Sequence, residues 1–138
     1  MPDVPIPADA EQLMVAWALA CDPITAIFGD RIYTEVPGRD PEWPLLRFQR
    51  VGGAPVDPRG LLTNPRIQID VWGGPKATAY AGIATVLGHA GFNLVGAHDL
   101  GFVSAVAVGG PSWLPDEAFE PPRPRYSADV QLWLRSAA

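Results

Sequence analysis

The sequence predicts an α+β fold: one mostly antiparallel sheet with two main helices packed on one face, in the order α-β-β-α-β-β. Three observations carry that expectation. Residues 45–51, 66–72 and 126–135 alternate apolar and polar side chains, the period of a strand whose two faces meet different surroundings. Residues 9–21 and 75–90 repeat apolar residues at helical spacing. The 16 prolines avoid the blocks 24–36, 45–54, 66–74, 76–110 and 125–138, and proline breaks helix interiors and central strands, so regular backbone belongs in those blocks.

Residues 1–7 read as an extended, proline-rich lead. Asp9 is a natural N-cap with Gln12 as its capping-box partner, and Leu13, Ala16, Trp17 and Ala20 make the apolar stripe of a first helix over 9–21. Asp22-Pro23 ends it; residues 24–28 add a further turn or two, stopped by Gly29-Asp30, and Arg31-Ile32-Tyr33 is a short extended piece. Residues 34–44 form a loop carrying Glu35, Asp40 and Glu42. In the strand that follows, Leu46 and Phe48 face one way and Arg47 and Gln49 the other. A long connection, 52–65, ends in Leu61-Leu62, which has no place in the core pattern; it reads either as a docking element for a neighbour or as a loop tucked on its own domain.

The central stretch is Arg66 to Trp72. Ile67, Ile69 and Val71 share one face; Arg66, Gln68, Asp70 and Trp72 share the other. Gly73-Gly74 stops this strand, and Pro75 suits the first position of a helix whose stripe is Ala77, Tyr80, Ala81, Ala84 and Leu87, with Ile83 beside it and Gly91 as the stop. Residues 92–95 are short and extended, 96–99 turn, and 102–108 form an apolar strand. Residues 109–125 read as a second long loop, holding Asp116, Glu117 and Glu120. The closing strand sets Tyr126, Ala128, Val130, Leu132 and Leu134 against Ser127, Asp129, Gln131, Trp133 and Arg135.

A chain of 138 residues with 48% hydrophobic residues is long enough for one domain with a real core. The net charge of −5 rests on nine scattered arginines and one lysine, Lys76, against 15 acids; a nucleic-acid binder would cluster its basic residues. No apolar run approaches the ~20 residues of a membrane span, the N-terminus lacks the basic and apolar regions of a signal peptide, and the single cysteine, Cys21, leaves no internal disulfide. These features fit folding in a cytoplasm.

No catalytic motif emerges. His98-Asp99 and His89 lack a G-x-S-x-G, H-E-x-x-H or cysteine partner, and the glycine pairs at 52–53, 73–74 and 109–110 do not fit a phosphate loop. Cys21 reads as a small buried apolar residue. We therefore assign no catalytic residue, no cofactor site and no metal site. Trp43, Trp72, Trp113 and Trp133 stand out instead, lying in loops or on the polar strand face; tryptophan mixed with arginine is characteristic of protein contacts, the alternative being that these rings pack under the long loops. The candidate subunit or partner interface comprises Arg47, Gln49, Leu61, Leu62, Gln68, Asp70, Trp72, Trp113, Asp129, Gln131, Trp133 and Arg135.

Four pieces carry a family resemblance: Asp22-Pro23 with Gly29-Asp30-Arg31-Ile32-Tyr33; Pro44-Leu45-Leu46-Arg47-Phe48; Pro65 through Trp72 followed by a helix; and Pro124-Arg125-Tyr126 through Leu132. In order and spacing, over roughly 8–136, the chain resembles the tail terminator, or tail-completion, proteins of long-tailed bacteriophages, especially those of actinobacterial hosts. The resemblance implies a virion subunit that forms a homohexameric ring on the end of the tail tube, stops its polymerisation and offers a surface to the head–tail connector. Its partners would be itself, the tail tube protein and the connector, with DNA only in passage through a mildly acidic channel and no membrane. It would reside in the virion at the head-proximal end of the tail, and in the host cytoplasm during assembly. A head–tail connector or stopper is the neighbouring alternative. A small cytoplasmic enzyme or ligand-binding domain would instead show a deep pocket where His98 and Asp99 meet a convergent acid.

Overall fold

The alternation at 66–72 has a direct structural counterpart: Ile67, Ile69 and Val71 are wholly buried. The computed structural model describes residues 7–38, 41–53 and 61–136. In order these form α1 (Ala10–Leu19), α2 (Asp22–Phe28), β1 (Ile32–Tyr33), β2 (Leu45–Gly52), β3 (Leu62–Thr63), β4 (Arg66–Trp72), α3 (Lys76–Asn93), β5 (Gly96–His98), β6 (Gly101–Trp113) and β7 (Arg125–Ser136). One sheet runs β1-β2-β4-β7-β6-β5, with β3 also on β7. Among the described residues only the β1–β2 pairing is parallel. The fold is α+β, with the three helices packed on the apolar face, where Leu46, Phe48, Ile67, Ile69, Val71, Val130, Leu132 and Leu134 meet Leu13, Met14, Phe28, Ile83 and Val86 in one buried cluster. Burying each such side chain fully is worth about 1.5–3 kcal/mol, which is what holds the two layers together.

Local signals explain the helix starts. The Asp9 carboxylate accepts from the Gln12 amide at 3.1 Å, capping α1. Asp22-Pro23 opens α2 rather than merely closing α1, because proline's fixed φ and missing N–H are tolerated in a first helical turn. On α1, Leu13 and Trp17 are buried as expected, but Ala16 and Ala20 are exposed and Ala10, Met14 and Ala18 take the inner positions.

The apolar face of α3 is also rotated from the stripe predicted for it. Ala79, Gly82, Ile83, Val86 and Ala90 are buried, while Ala77, Tyr80, Ala81 and Ala84 are exposed and Leu87 is half-buried. In a helix this rich in alanine and glycine the face is chosen by fit. A Cβ on Gly82 would stand 2.8 Å from the Phe28 ring and 3.0 Å from Val71, so the bare backbone packs directly on the core there. Nor does Gly91 stop the helix, which runs on to Asn93; the Trp17 indole donates to Asn93 Oδ1 at 3.0 Å and Leu94 is fully buried, anchoring that end.

Two boundaries move more. Residues 109–113, expected in a loop, belong to β6, which passes through Gly109-Gly110-Pro111 by a register shift between Gly109 and Ser112. Gly110 takes φ +95°, and a Cβ there would sit 3.1 Å from Ala128, so this kink suits glycine alone. The loop between β6 and β7 thus begins at Leu114. Residues 96–98, expected as a turn, pair with β6 as β5.

Part of the predicted 52–65 loop is likewise sheet. Leu62 and Thr63 oppose Arg135 and Leu134, and Ser136 N–H donates to the Leu61 carbonyl at 2.8 Å. Leu61 and Leu62 are half-buried on their own sheet, which is the tucked alternative rather than a free docking arm. The rest of that loop at 54–60, the lead at 1–6 and Asp40 lie outside the described residues.

Candidate functional site

No helix among the described residues covers the second face of the sheet. Strand register sets out its rows. Arg47, Asp70, Ser127 and Ser112 lie across β2, β4, β7 and β6; Gln49, Gln68, Asp129 and Gly109 form the next row; Arg66, Gln131 and Ala107 the third. Alternation in three strands thus brings most of the candidate interface onto one surface.

Two of the candidates, however, sit beneath that surface. Asp70 is completely buried. Its carboxylate accepts from Arg47 Nη2 at 2.6 Å and Nε at 3.2 Å, from Gln68 Nε2 at 3.1 Å, and from the Ser127 hydroxyl. A buried charge survives only when paired and hydrogen-bonded, and these donors supply both conditions. Trp72 is 3% exposed. The Arg47 guanidinium lies 5.1 Å and that of Arg125 5.7 Å from its ring centroid, and its indole N–H donates to Asp116 Oδ2 at 2.9 Å. Asp70 and Trp72 therefore support the face from below and do not present themselves to a partner.

The β6–β7 loop closes over this end. Asp116 and Arg123 exchange backbone hydrogen bonds at 2.8 and 2.9 Å. Burial alone would raise the Asp116 pKa, but the Trp72 indole, the Ala118 amide and the charges of Arg125 and Arg47 outweigh it and hold the carboxyl below its usual value. Trp43 packs beside Phe119 and under Arg123, its ring centroid 5.6 and 4.6 Å from them. Trp43 and Trp72 thus follow the under-the-loop alternative. Trp113 does not: it is 42% exposed, packed on Tyr126 at 5.1 Å with the Lys76 ammonium 4.4 Å above its ring.

On the open surface remain Gln49 and Arg135, both exposed, and Asp129, Gln131 and Trp133, each half-buried, with Arg47 and Gln68 half-buried beside them. Arg66 joins them although it was absent from the candidates; it donates from Nε to Asp129 Oδ2 at 2.7 Å, and its place in the alternation is the signal that marks it. A shallow cleft of about 310 Å³, lined by Arg66, Gln68, Ser112, Leu114, Ser127 and Asp129, crosses this face. The surface is polar and internally ion-paired, suited to a hydrated contact.

A second cleft of about 390 Å³ opens on the helical side, lined among others by Trp17, Cys21, Asn93, His98 and Asp99. His98 Nε2 lies 2.7 Å from the Leu94 carbonyl, a contact that fixes the ring to the end of α3. Asp99 is the only carboxylate in this lining, and among the described residues no three His, Cys, Asp or Glu side chains gather to hold a metal ion. No helix of the described residues is long and apolar enough to cross a membrane.

Comparison with known proteins adds a likeness of fold. No protein-family model matches the sequence, and no curated protein matches it. Among solved structures the chain is similar to a chain of the virion of a native gene transfer agent particle, with a TM-score of 0.68 and 20% sequence identity, over 88% of this chain and 92% of that one. At that identity the likeness is one of fold, and it runs nearly end to end in both chains.

Proposed function

We propose that this chain is a structural virion protein: a subunit that caps the phage tail tube as a ring, ends tube polymerisation and provides the surface on which head and tail join. The observation that carries the reading is the near full-length fold likeness to a chain of an assembled virion particle. The order and spacing of the motifs around Gly29-Asp30-Arg31, Leu45–Phe48, Arg66–Trp72 and Tyr126–Leu132 support it from the sequence.

In this reading Gln49, Arg66, Asp129, Gln131, Trp133 and Arg135 meet a neighbouring subunit or the adjoining virion protein, whereas Trp113, packed on Tyr126 with Lys76 of α3 over its ring, lies on the helix side of the sheet and outside that contact. Asp70 and Trp72 hold that surface in shape. A ring closes when a heterologous contact rotates each subunit onto the next, and six is the number the family analogy implies.

The test is co-expression with the tail tube protein of its own virion, read by electron microscopy of the tubes. Tubes of limited length bearing ring-shaped density at one end are expected. Tubes unchanged in length, with no density from this chain at either end, would overturn the reading.

A further inference from the structure

β6 is the longest strand of the sheet, yet β5 covers only Gly101–Val103 of its outer edge. From Ser104 to Trp113 that edge has no strand on it among the described residues, and every residue there except half-buried Val106 is exposed. The sequence from Leu100 to Pro115 carries no charge. Val108 and Trp113, 43% and 42% exposed, lie on this stretch, and Leu114, 49% exposed, directly follows it. Soluble proteins usually blunt such an edge with charge or by covering it, because its bare N–H and C=O groups template another strand.

The opposite edge of this sheet is blunted in just that way. β1 pairs with Leu46 and Arg47 of β2. Beyond them the Arg50 N–H donates to Glu11 Oε2 at 2.8 Å, and the Arg50 guanidinium folds onto the Gly52 and Gly53 carbonyls at 3.2 and 3.3 Å. Among the described residues one edge is guarded by side chains, while the straight stretch Ala105–Gly109 of the other, between its two register shifts, has nothing on it.

We propose that the open edge of β6 pairs antiparallel with the same edge of a second copy of this chain, about a twofold axis near Ala107. A second copy cannot continue the sheet through its guarded β2 edge, so β6 is the strand it has to offer. The straight segment Ala105–Gly109, between the two register shifts, is self-complementary: Ala105 faces Gly109 and Val106 faces Val108 across the axis. All of these side chains are small and none is charged, so nothing repels or obstructs the approach. This goes beyond the ring. A twofold contact joins two subunits or two rings and then stops, whereas ring closure needs a heterologous one.

Sedimentation equilibrium from micromolar to near-millimolar protein tests the pairing, with Ala107→Lys and Ala107→Glu as variants at an exposed position. The wild type is expected to reach twice the 14.8 kDa chain mass. Each variant alone sets like charges across the axis and is expected to weaken the pair several-fold while keeping the wild-type circular dichroism, and an equimolar mixture of the two variants is expected to restore it. A wild type that stays monomeric throughout, a two-copy species that neither variant weakens, or variants that fail to rescue each other would overturn the proposal. A six-copy species that both variants leave intact would overturn it too, while leaving the ring reading standing.

Discussion

The close approach of α3 to the sheet at Gly82 makes a prediction of sign. Gly82→Ala adds a Cβ that starts 2.8 Å from Phe28 Cζ and 3.0 Å from Val71 Cγ1, and both of those side chains are fully buried. Alanine in a helix interior gains about 1 kcal/mol over glycine. Forcing a methyl into a filled core costs about 1–3 kcal/mol. The net is a loss of about 0–2 kcal/mol. Gly88 and Gly91 belong to the same helix but have nothing within 4 Å of the added Cβ and are exposed, so Gly88→Ala and Gly91→Ala should each stabilise by up to about 1 kcal/mol. Urea unfolding of the three variants beside the wild type, with unchanged m values, reads the differences directly. If Gly82→Ala stabilises as much as Gly88→Ala does, α3 does not meet the sheet through bare backbone at that point and the packing argument is refuted.

Other expectations concern the polar side of the sheet and the helix ends. Arg47→Met should cost about 3–5 kcal/mol in urea unfolding by leaving the buried Asp70 carboxylate short of its cationic partner, and adding Asp70→Leu should recover most of the loss. Because the Asp116 pKa is depressed in the fold, its contribution is complete above the unfolded value of about 3.9 and disappears as pH falls through the lower folded value. Acid titration of tryptophan fluorescence should show a phase below about pH 4 that Asp116→Asn removes. Trp17→Phe should cost about 1 kcal/mol or more in the same unfolding assay, losing the indole hydrogen bond to Asn93; an unchanged midpoint would mean that this bond does not anchor the end of α3.

Strands whose two faces meet different surroundings were legible because a period of two leaves little choice of which side is buried. β2, β4 and β7 lie close to their predicted bounds for that reason, and the rows of the polar face follow from them. The face of α3 was not legible: with alanine and glycine at many positions, several stripes are equally apolar and the contact of Gly82 with Phe28 decides between them. β3 and β5 have two and three residues, too few to show any period. The outer half of β6 hides behind Gly-Gly-Pro, a turn signal that here marks a kink within a strand. Asp70 and Trp72 look like surface residues in the alternation because burial on that face comes from a loop and from neighbouring arginines, which the pattern of a single strand does not encode.

The place of β7 bears on how the molecule comes into being. β3 and β4 pair along one edge of β7 and β6 along the other, and β4 and β6 do not pair with each other. During synthesis the β2–β4 hairpin and the β5–β6 hairpin can each form early, with α3 able to pack on both, but no strand joins these halves until the segment after Pro124 has left the ribosome. The sheet is completed by inserting its middle, an event of long sequence separation and hence slow closure. Until then both hairpins carry an unsatisfied inner edge, so the nascent chain is at its most aggregation-prone just before β7 emerges. Slowing translation shortly before Arg125 should lower the soluble yield more than slowing it within α1.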